Sequence, residues 1–218
     1  FISGNNYFVD KTPLIRDFFT DAAYISLMPR PKRFGKTLNL SMIEHFFDIR
    51  KPESAALFSG LQIAADKAFC AAHQNQYPVI NISLKNVKET SWEACQNNFV
   101  TEIADLFKKY EFLLDSEQLK GYEKELFERI LLGNADEMQY KSALSTLSAN
   151  LKRHYNKEVI ILVDEYDTPI ISAYKHTPHP IKSPKGETSY YEDVINFLQG
   201  FLGDAYKGND TNLKKGLL

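Results

Sequence analysis

The chain is short of several things that would point to particular classes of function. It has only two cysteines, Cys70 and Cys95, in helix-like apolar surroundings and without a Cys-x-x-Cys spacing. That argues against disulfide or thiol chemistry and predicts reduced, buried or half-buried thiols in a cytoplasmic protein. No apolar run approaches the roughly 20 residues needed to span a bilayer, and no signal peptide is visible. Neither charge sign prevails. With 26 Lys and Arg against 28 Asp and Glu, the net charge is −2 and mixed along the chain. Nothing therefore drives the protein as a whole toward nucleic acid or a membrane surface. Internal repeats, low-complexity segments and a dividing linker are absent as well, so the 218 residues are expected to form one domain with a substantial core. Residue 1 is Phe and not Met, so the natural N-terminus is expected upstream.

The most informative stretch begins at Tyr24. Tyr24 to Met28 is a short apolar run that predicts a buried strand, and Pro29 and Pro31 cannot continue a ladder. Gly35-Lys36-Thr37 then opens a helical pattern that reaches Phe47 through Leu38, Met42, Ile43 and Phe46. Strand, loop, Gly-Lys-Thr and helix is the order of a phosphate-binding loop. There, backbone N–H groups and a helix N-terminus cradle an anion, the Lys reaches the terminal phosphates, and the Thr hydroxyl holds Mg²⁺. The full pattern has a glycine five positions before Gly35, where this chain carries Arg30. Chance alone places a Gly-Lys-[Ser/Thr] tripeptide in roughly one in ten chains of this length, so a second signal is required.

That signal lies at residues 158–167. Five consecutive apolar residues, Val159 to Val163, suit a central parallel strand buried on both faces, and Asp164 and Glu165 follow at its carboxyl end. In an open α/β sheet that edge is where ligands bind. An acid at the end of a neighbouring strand orders Mg²⁺ in nucleotide hydrolases, and a following Glu can polarise the attacking water. Asp164 takes the Mg²⁺ role and Glu165 the water. On their own the two acids could merely mark where a buried strand meets solvent; together with Gly35-Lys36-Thr37 they read as a site.

Other elements frame this pair. Thr12 and Pro13 start a helix through Phe19. Residues 53–75 look irregularly helical, and Pro78 to Leu84 is a second strand rich in β-branched residues. Helices are expected over Ser91 to Tyr110, Ser116 to Leu132 and Tyr140 to Tyr155, a helical insertion of residues 91–156 between two strands. Residues 175–189 read as an exposed loop, Tyr190 to Tyr206 as a helix, and Leu213 to Leu218 as the start of a further strand. The expected fold is an α/β three-layer sandwich of the P-loop NTPase type, with a largely parallel central sheet.

Arg30-Pro31-Lys32-Arg33-Phe34-Gly35-Lys36-Thr37 closely resembles the Arg-Pro-x-Arg-Phe-Gly-Lys-[Ser/Thr] loop of the bacterial AAA-ATPase-like family. So do Tyr7-Phe8-Val9-Asp10-Lys11-Thr12, Tyr77-Pro78-Val79-Ile80 with Ser91-Trp92-Glu93, and Leu162-Val163-Asp164-Glu165-Tyr166-Asp167-Thr168-Pro169-Ile170. The resemblance covers essentially the whole chain. It implies a P-loop ATPase of the additional-strand, catalytic-Glu type, often joined to a C-terminal nuclease-like domain of the PD-(D/E)XK class. It makes the replaced first glycine a family trait, and it favours ATP, no guanine-reading Asn-Lys-x-Asp motif being visible. The family's Thr-Gly and polar sensor residue would lie beyond Leu218, and the loop at 175–189 is longer than usual.

The expected site therefore comprises Arg33, Phe34, Gly35, Lys36, Thr37 and Leu38 around the nucleotide, Thr37 and Asp164 at Mg²⁺, and Lys36 and Glu165 in catalysis. Several neighbours stay open between two roles. Arg30 and Arg33 could meet phosphate or pair with surface acids, and Tyr7 and Phe8 could stack on adenine or pack in the core. Asp167 could orient Glu165 or cap the turn into Thr168-Pro169. His176 and His179 lack the further ligands a zinc site needs, and Lys182 and Lys185 are most simply solvated. A Mg²⁺-dependent ATPase in the cytoplasm, driving a conformational switch in a larger protein, is the leading expectation. A non-hydrolysing regulatory module and part of a nucleic-acid-processing protein are the rivals, and an oligomer could supply an arginine finger.

Overall fold

A computed structural model describes residues 9–29, 34–178 and 188–218. Tyr7, Phe8, Arg30, Arg33, His179, Lys182 and Lys185 lie outside the described residues. Four strands, β1 (Ile25–Ser26), β2 (Val79–Ser83), β3 (Val159–Asp164) and β4 (Leu213–Leu217), form one all-parallel sheet in the order β1-β4-β3-β2. The strand before the Gly-Lys-Thr segment is thus separated from the strand carrying Asp164 by one further strand, β4.

Each face of the sheet carries its own core. Because side chains alternate along a strand, Val159, Ile161 and Val163 of β3 point to one face and Ile160 and Leu162 to the other. The second face is covered by α1 (Pro13–Thr20), α2 (Lys36–Phe47) and α3 (Lys67–His73). The first is covered by α4 (Trp92–Lys108), α5 (Gly121–Leu131), α6 (Glu137–Lys141), α7 (Ala143–Tyr155) and α9 (Tyr190–Tyr206), with α8 (Thr168–His176) between β3 and α9. Helices from residues 92–155 thus share one hydrophobic core with β2, β3 and α9. All six β3 residues are buried, as a continuous apolar run in a parallel sheet requires. Cys95 is buried and Cys70 half-buried, both as free thiols. Among the described residues no helix is long and apolar enough to cross a membrane.

Local chemistry accounts for most element boundaries. The Ser91 side chain accepts from the Ala94 N–H at the start of α4, and Ser189 with Glu192 forms a capping box at the start of α9. Thr12 sits at the N-cap of α1 with Pro13 next, as expected, but its hydroxyl does not cap. It donates to Asp10 Oδ1 (2.7 Å) and accepts from the Ile63 N–H (3.1 Å), fastening the start of α1 to a 3₁₀ turn at Gln62–Ala65.

Three expectations need correction. The run Tyr24 to Met28 supplies a strand of only two half-buried residues, with Tyr24 and Leu27 exposed. Among the described residues β1 is a sheet edge with only β4 as neighbour, so a long buried strand has nothing to pair with on its outer side. The helix expected from Ser116 begins at Gly121 with Lys120 at the N-cap position; the Ser116 hydroxyl instead closes a turn onto the Gln118 N–H (3.3 Å) and meets His154 (2.8 Å). The helix expected from Tyr140 to Tyr155 is two helices broken at Ser142.

A buried ionic cluster joins the end of α2 to the start of β2. Asp48, wholly buried, accepts from Arg50 Nη2 (2.8 Å) and Nε (3.2 Å), and the guanidinium lies over the Tyr110 ring at 4.2 Å. Tyr110 in turn donates to the Val79 carbonyl (2.6 Å). Removing one partner strands the other charge in a poorly solvated place. Asp48→Ala should therefore cost about 3–5 kcal/mol of unfolding free energy, read by urea denaturation. A loss no larger than an exposed ion pair gives, about 1 kcal/mol or less, would show that Arg50 finds water instead.

Candidate functional site

Gly35, Lys36 and Thr37 sit where a coil becomes a helix at the carboxyl edge of the sheet. Gly35 is the N-cap of α2 at φ 76°, ψ 25°, in the left-handed region. A Cβ there would meet nothing within 4 Å, so backbone conformation and not crowding requires the glycine. The turn directs Lys36 and Thr37 toward the end of β3, and no side chain caps the helix. Its first N–H groups therefore keep their capacity to bind an anion.

β3 ends at Asp164, 5 % exposed, and this carboxylate joins the two motifs. Thr37 Oγ1 donates to Asp164 Oδ2 (2.7 Å), and Asp164 Oδ1 accepts from the Glu165 N–H (3.0 Å). Lys36 Nζ stands 3.9 Å from Asp164 Oδ1 and lies over the Tyr166 ring at 5.2 Å. Residues 127 positions apart in sequence are thus in direct hydrogen-bond contact. Glu165 adopts φ 52° and turns its side chain over the first turn of α8, where Thr168 Oγ1 donates to Oε2 (2.8 Å).

A cleft of about 860 Å³ opens above these groups. It is lined by Gly35, Lys36, Thr37 and Leu38, by Asp164, Glu165 and Asp167, and by Ile171 and Lys175 of α8 with Lys88. Phe34 and Leu38 are exposed beside it. A smaller chamber of about 240 Å³ shares Thr37, Asp164 and Glu165 with the cleft and reaches Glu44, Asn81 and Ser83.

Glu44 is a half-buried acid of that chamber. Burial alone would raise its carboxyl, but Lys51 Nζ (2.6 Å) and Asn81 Nδ2 (2.6 Å) both donate to it and hold it below the ordinary carboxylate range. A carboxylate with a depressed folded-state pKa adds stability that is present above its unfolded value and lost as pH falls through the folded one. Unfolding free energy should therefore drop below about pH 4.3, the usual Glu value, and Glu44→Gln should flatten that acid limb. An unchanged limb in the variant would assign the loss to other acids.

The fit to Mg²⁺ is favourable. Mg²⁺ usually takes one or two protein oxygens and keeps waters and substrate phosphates for the rest of its shell. A hydroxyl and a carboxylate already in contact, Thr37 and Asp164, offer such a pair. Among the described residues no group of three or more His, Cys, Asp or Glu is placed to hold a metal ion without a substrate. His176 is engaged through Nδ1 with the Ser172 carbonyl at 2.8 Å.

Sequence reasoning missed three features. Thr168 and Tyr166 contact the two residues expected to be catalytic, yet neither type announces such a role. Helix α8 was expected only as a turn at Thr168-Pro169; an N-cap Asp167 followed by Pro169 near the first turn is the signal that could have found it. Asp167 occupies that N-cap without a side-chain cap bond.

Strand order, loop-to-helix entry and acid-ended strand define the class: an α/β three-layer sandwich of the P-loop NTPase type. The family model described as "Predicted AAA-ATPase" matches residues 1–218, and the chain belongs to that family. None of the curated proteins and none of the solved structures matches it significantly. Membership makes nucleotide binding, of ATP, the coarse function.

Proposed function

We propose that the cleft binds Mg²⁺·ATP and hydrolyses the γ-phosphate, and that the cycle drives a conformational switch in a larger protein. One observation carries the reading above all: the hydrogen bond from Thr37 to Asp164, with Lys36 beside it. It joins the cation, the hydroxyl and the carboxylate that triphosphate chemistry uses, from two distant parts of the chain.

In this reading the free N–H groups from Phe34 to Leu38 cradle the phosphates, and Arg33, outside the described residues, keeps the phosphate role that its motif implies. Lys36 leaves Asp164 for the β- and γ-phosphate oxygens and neutralises charge there. Thr37 and Asp164 hold Mg²⁺, which when bound screens the phosphates and withdraws charge from the bond that breaks. Glu165, at the junction of cleft and chamber, accepts a proton from the attacking water.

Single-turnover hydrolysis of labelled ATP with Mg²⁺ tests this. Release of phosphate, even slow, supports the ATPase; tight binding with no release would make the domain a nucleotide-dependent regulatory module instead. An appended nuclease-like domain would link the cycle to nucleic acid, toward which this chain's net charge of −2 supplies no attraction of its own.

A further inference from the structure

We propose that Thr168 is a positioning residue for the general base: its hydroxyl holds one oxygen of the Glu165 carboxylate over the first turn of α8 and leaves the other directed at the water. The inference rests on the reading of Glu165 as base and adds a residue that the reading does not assign.

Three observations lead to it. Glu165 lies at φ 52°, and the other non-glycine residues at positive φ among the described residues are Asn75 and Asn156. Asparagine tolerates that region; a glutamate there is strained and persists only when its surroundings hold it. The surroundings do. The Glu165 N–H donates to Asp164 Oδ1 (3.0 Å), its carbonyl accepts from the Thr168 N–H (3.0 Å), and its Oε2 accepts from Thr168 Oγ1 (2.8 Å).

The Thr168 hydroxyl is also not serving as a helix cap. Asp167 holds the N-cap position, and the hydroxyl's one partner among the described residues is the Glu165 carboxylate. Oε1 accepts no hydrogen bond from the described residues, and Glu165 borders both the cleft and the smaller chamber. A carboxylate with one oxygen anchored and the other free keeps its aim while retaining a site for the transferred proton. Without the anchor the side chain samples rotamers that point away from the water, and misplacing a catalytic group by about 1 Å can cost roughly a hundredfold in rate.

The test is steady-state ATP hydrolysis by the unmodified chain and by Thr168→Val, Thr168→Ser, Glu165→Gln and the Glu165→Gln/Thr168→Val pair. Thr168→Val should lower kcat about ten- to hundredfold with KM for ATP changed less than about twofold, and Thr168→Ser should restore kcat. In the Glu165→Gln background Thr168→Val should cost almost nothing more, since the group it positions no longer takes a proton. Should Thr168→Val fold poorly, Thr168→Ala supplies the same comparison with a residue well suited to a helix. Unchanged kcat in a folded Thr168→Val or Thr168→Ala chain, or a full extra loss in the double variant, overturns the positioning role. If Glu165→Gln alone keeps its turnover, or the unmodified chain has none, the base assignment and this proposal fall together.

Discussion

Lys36→Ala should abolish ATP binding. Lys36 is the cation that the structure sets directly against Asp164, and its side chain is mostly withdrawn from solvent. A triphosphate entering the cleft brings several negative charges close to Asp164 and Glu165, and the ammonium offsets that repulsion. At about 4 Å and the effective dielectric of a partly buried site, one such charge pair is worth about 4 kcal/mol, roughly a thousandfold in affinity. A micromolar site would then become millimolar, beyond calorimetric detection. The fold should survive, because Lys36 sits on the first turn of α2 and is not part of either core. Calorimetric titration with Mg²⁺·ATP reads the result directly, and undiminished affinity in the variant would remove Lys36, and the cleft with it, from the phosphate site.

The opposite pattern is expected for Glu165→Gln: binding kept, turnover lost. Gln matches Glu in size, and its amide oxygen can still accept from Thr168. What it cannot do is take a proton from water. General-base catalysis contributes about 10²–10⁴-fold, so hydrolysis should fall by that factor while the calorimetric constant stays within about twofold. Equal loss of binding and turnover would instead mean that Glu165 supports the shape of the turn after β3.

Lys36, Thr37, Asp164 and Glu165 were legible in the sequence because each stands at an abrupt change of pattern. Gly35-Lys36-Thr37 opens a helical periodicity, and Asp164 and Glu165 interrupt a run of five apolar residues. The sheet was legible for the same reason: Val79–Ser83 and Val159–Asp164 carry β-branched runs that a buried parallel strand selects. The contacts of Thr168 with Glu165 and of Tyr166 with Lys36 were not legible, since they follow a left-handed turn at Glu165 that no propensity predicts for glutamate. Nor was the shortness of β1 legible, because an apolar run records what a segment could bury and not how many neighbours it has. Arg33 was assigned from resemblance alone and stands outside the described residues. Ser116 failed as a helix start because its hydroxyl accepts from the Gln118 N–H in a tight turn and meets His154, a partner 38 positions away.

The placement of β1 has a consequence for the order in which the protein assembles. Ile25 pairs with Gly216 and Ser26 with Leu217, and Lys215 donates to the carbonyls of Asp21 and Ala23 just ahead of β1. The Tyr206 ring lies so close to Gly216 that a Cβ there would meet it at 2.3 Å, so the glycine lets α9 and β4 approach each other. Contacts spanning nearly the whole chain carry a large loop-closure cost and form late. On the ribosome, β1 emerges early yet has no partner among the described strands until β4 has been made, whereas α2, which bears Lys36, can already pack on β2 and β3. The Lys36 segment is then held from the helix side first and from the strand side last.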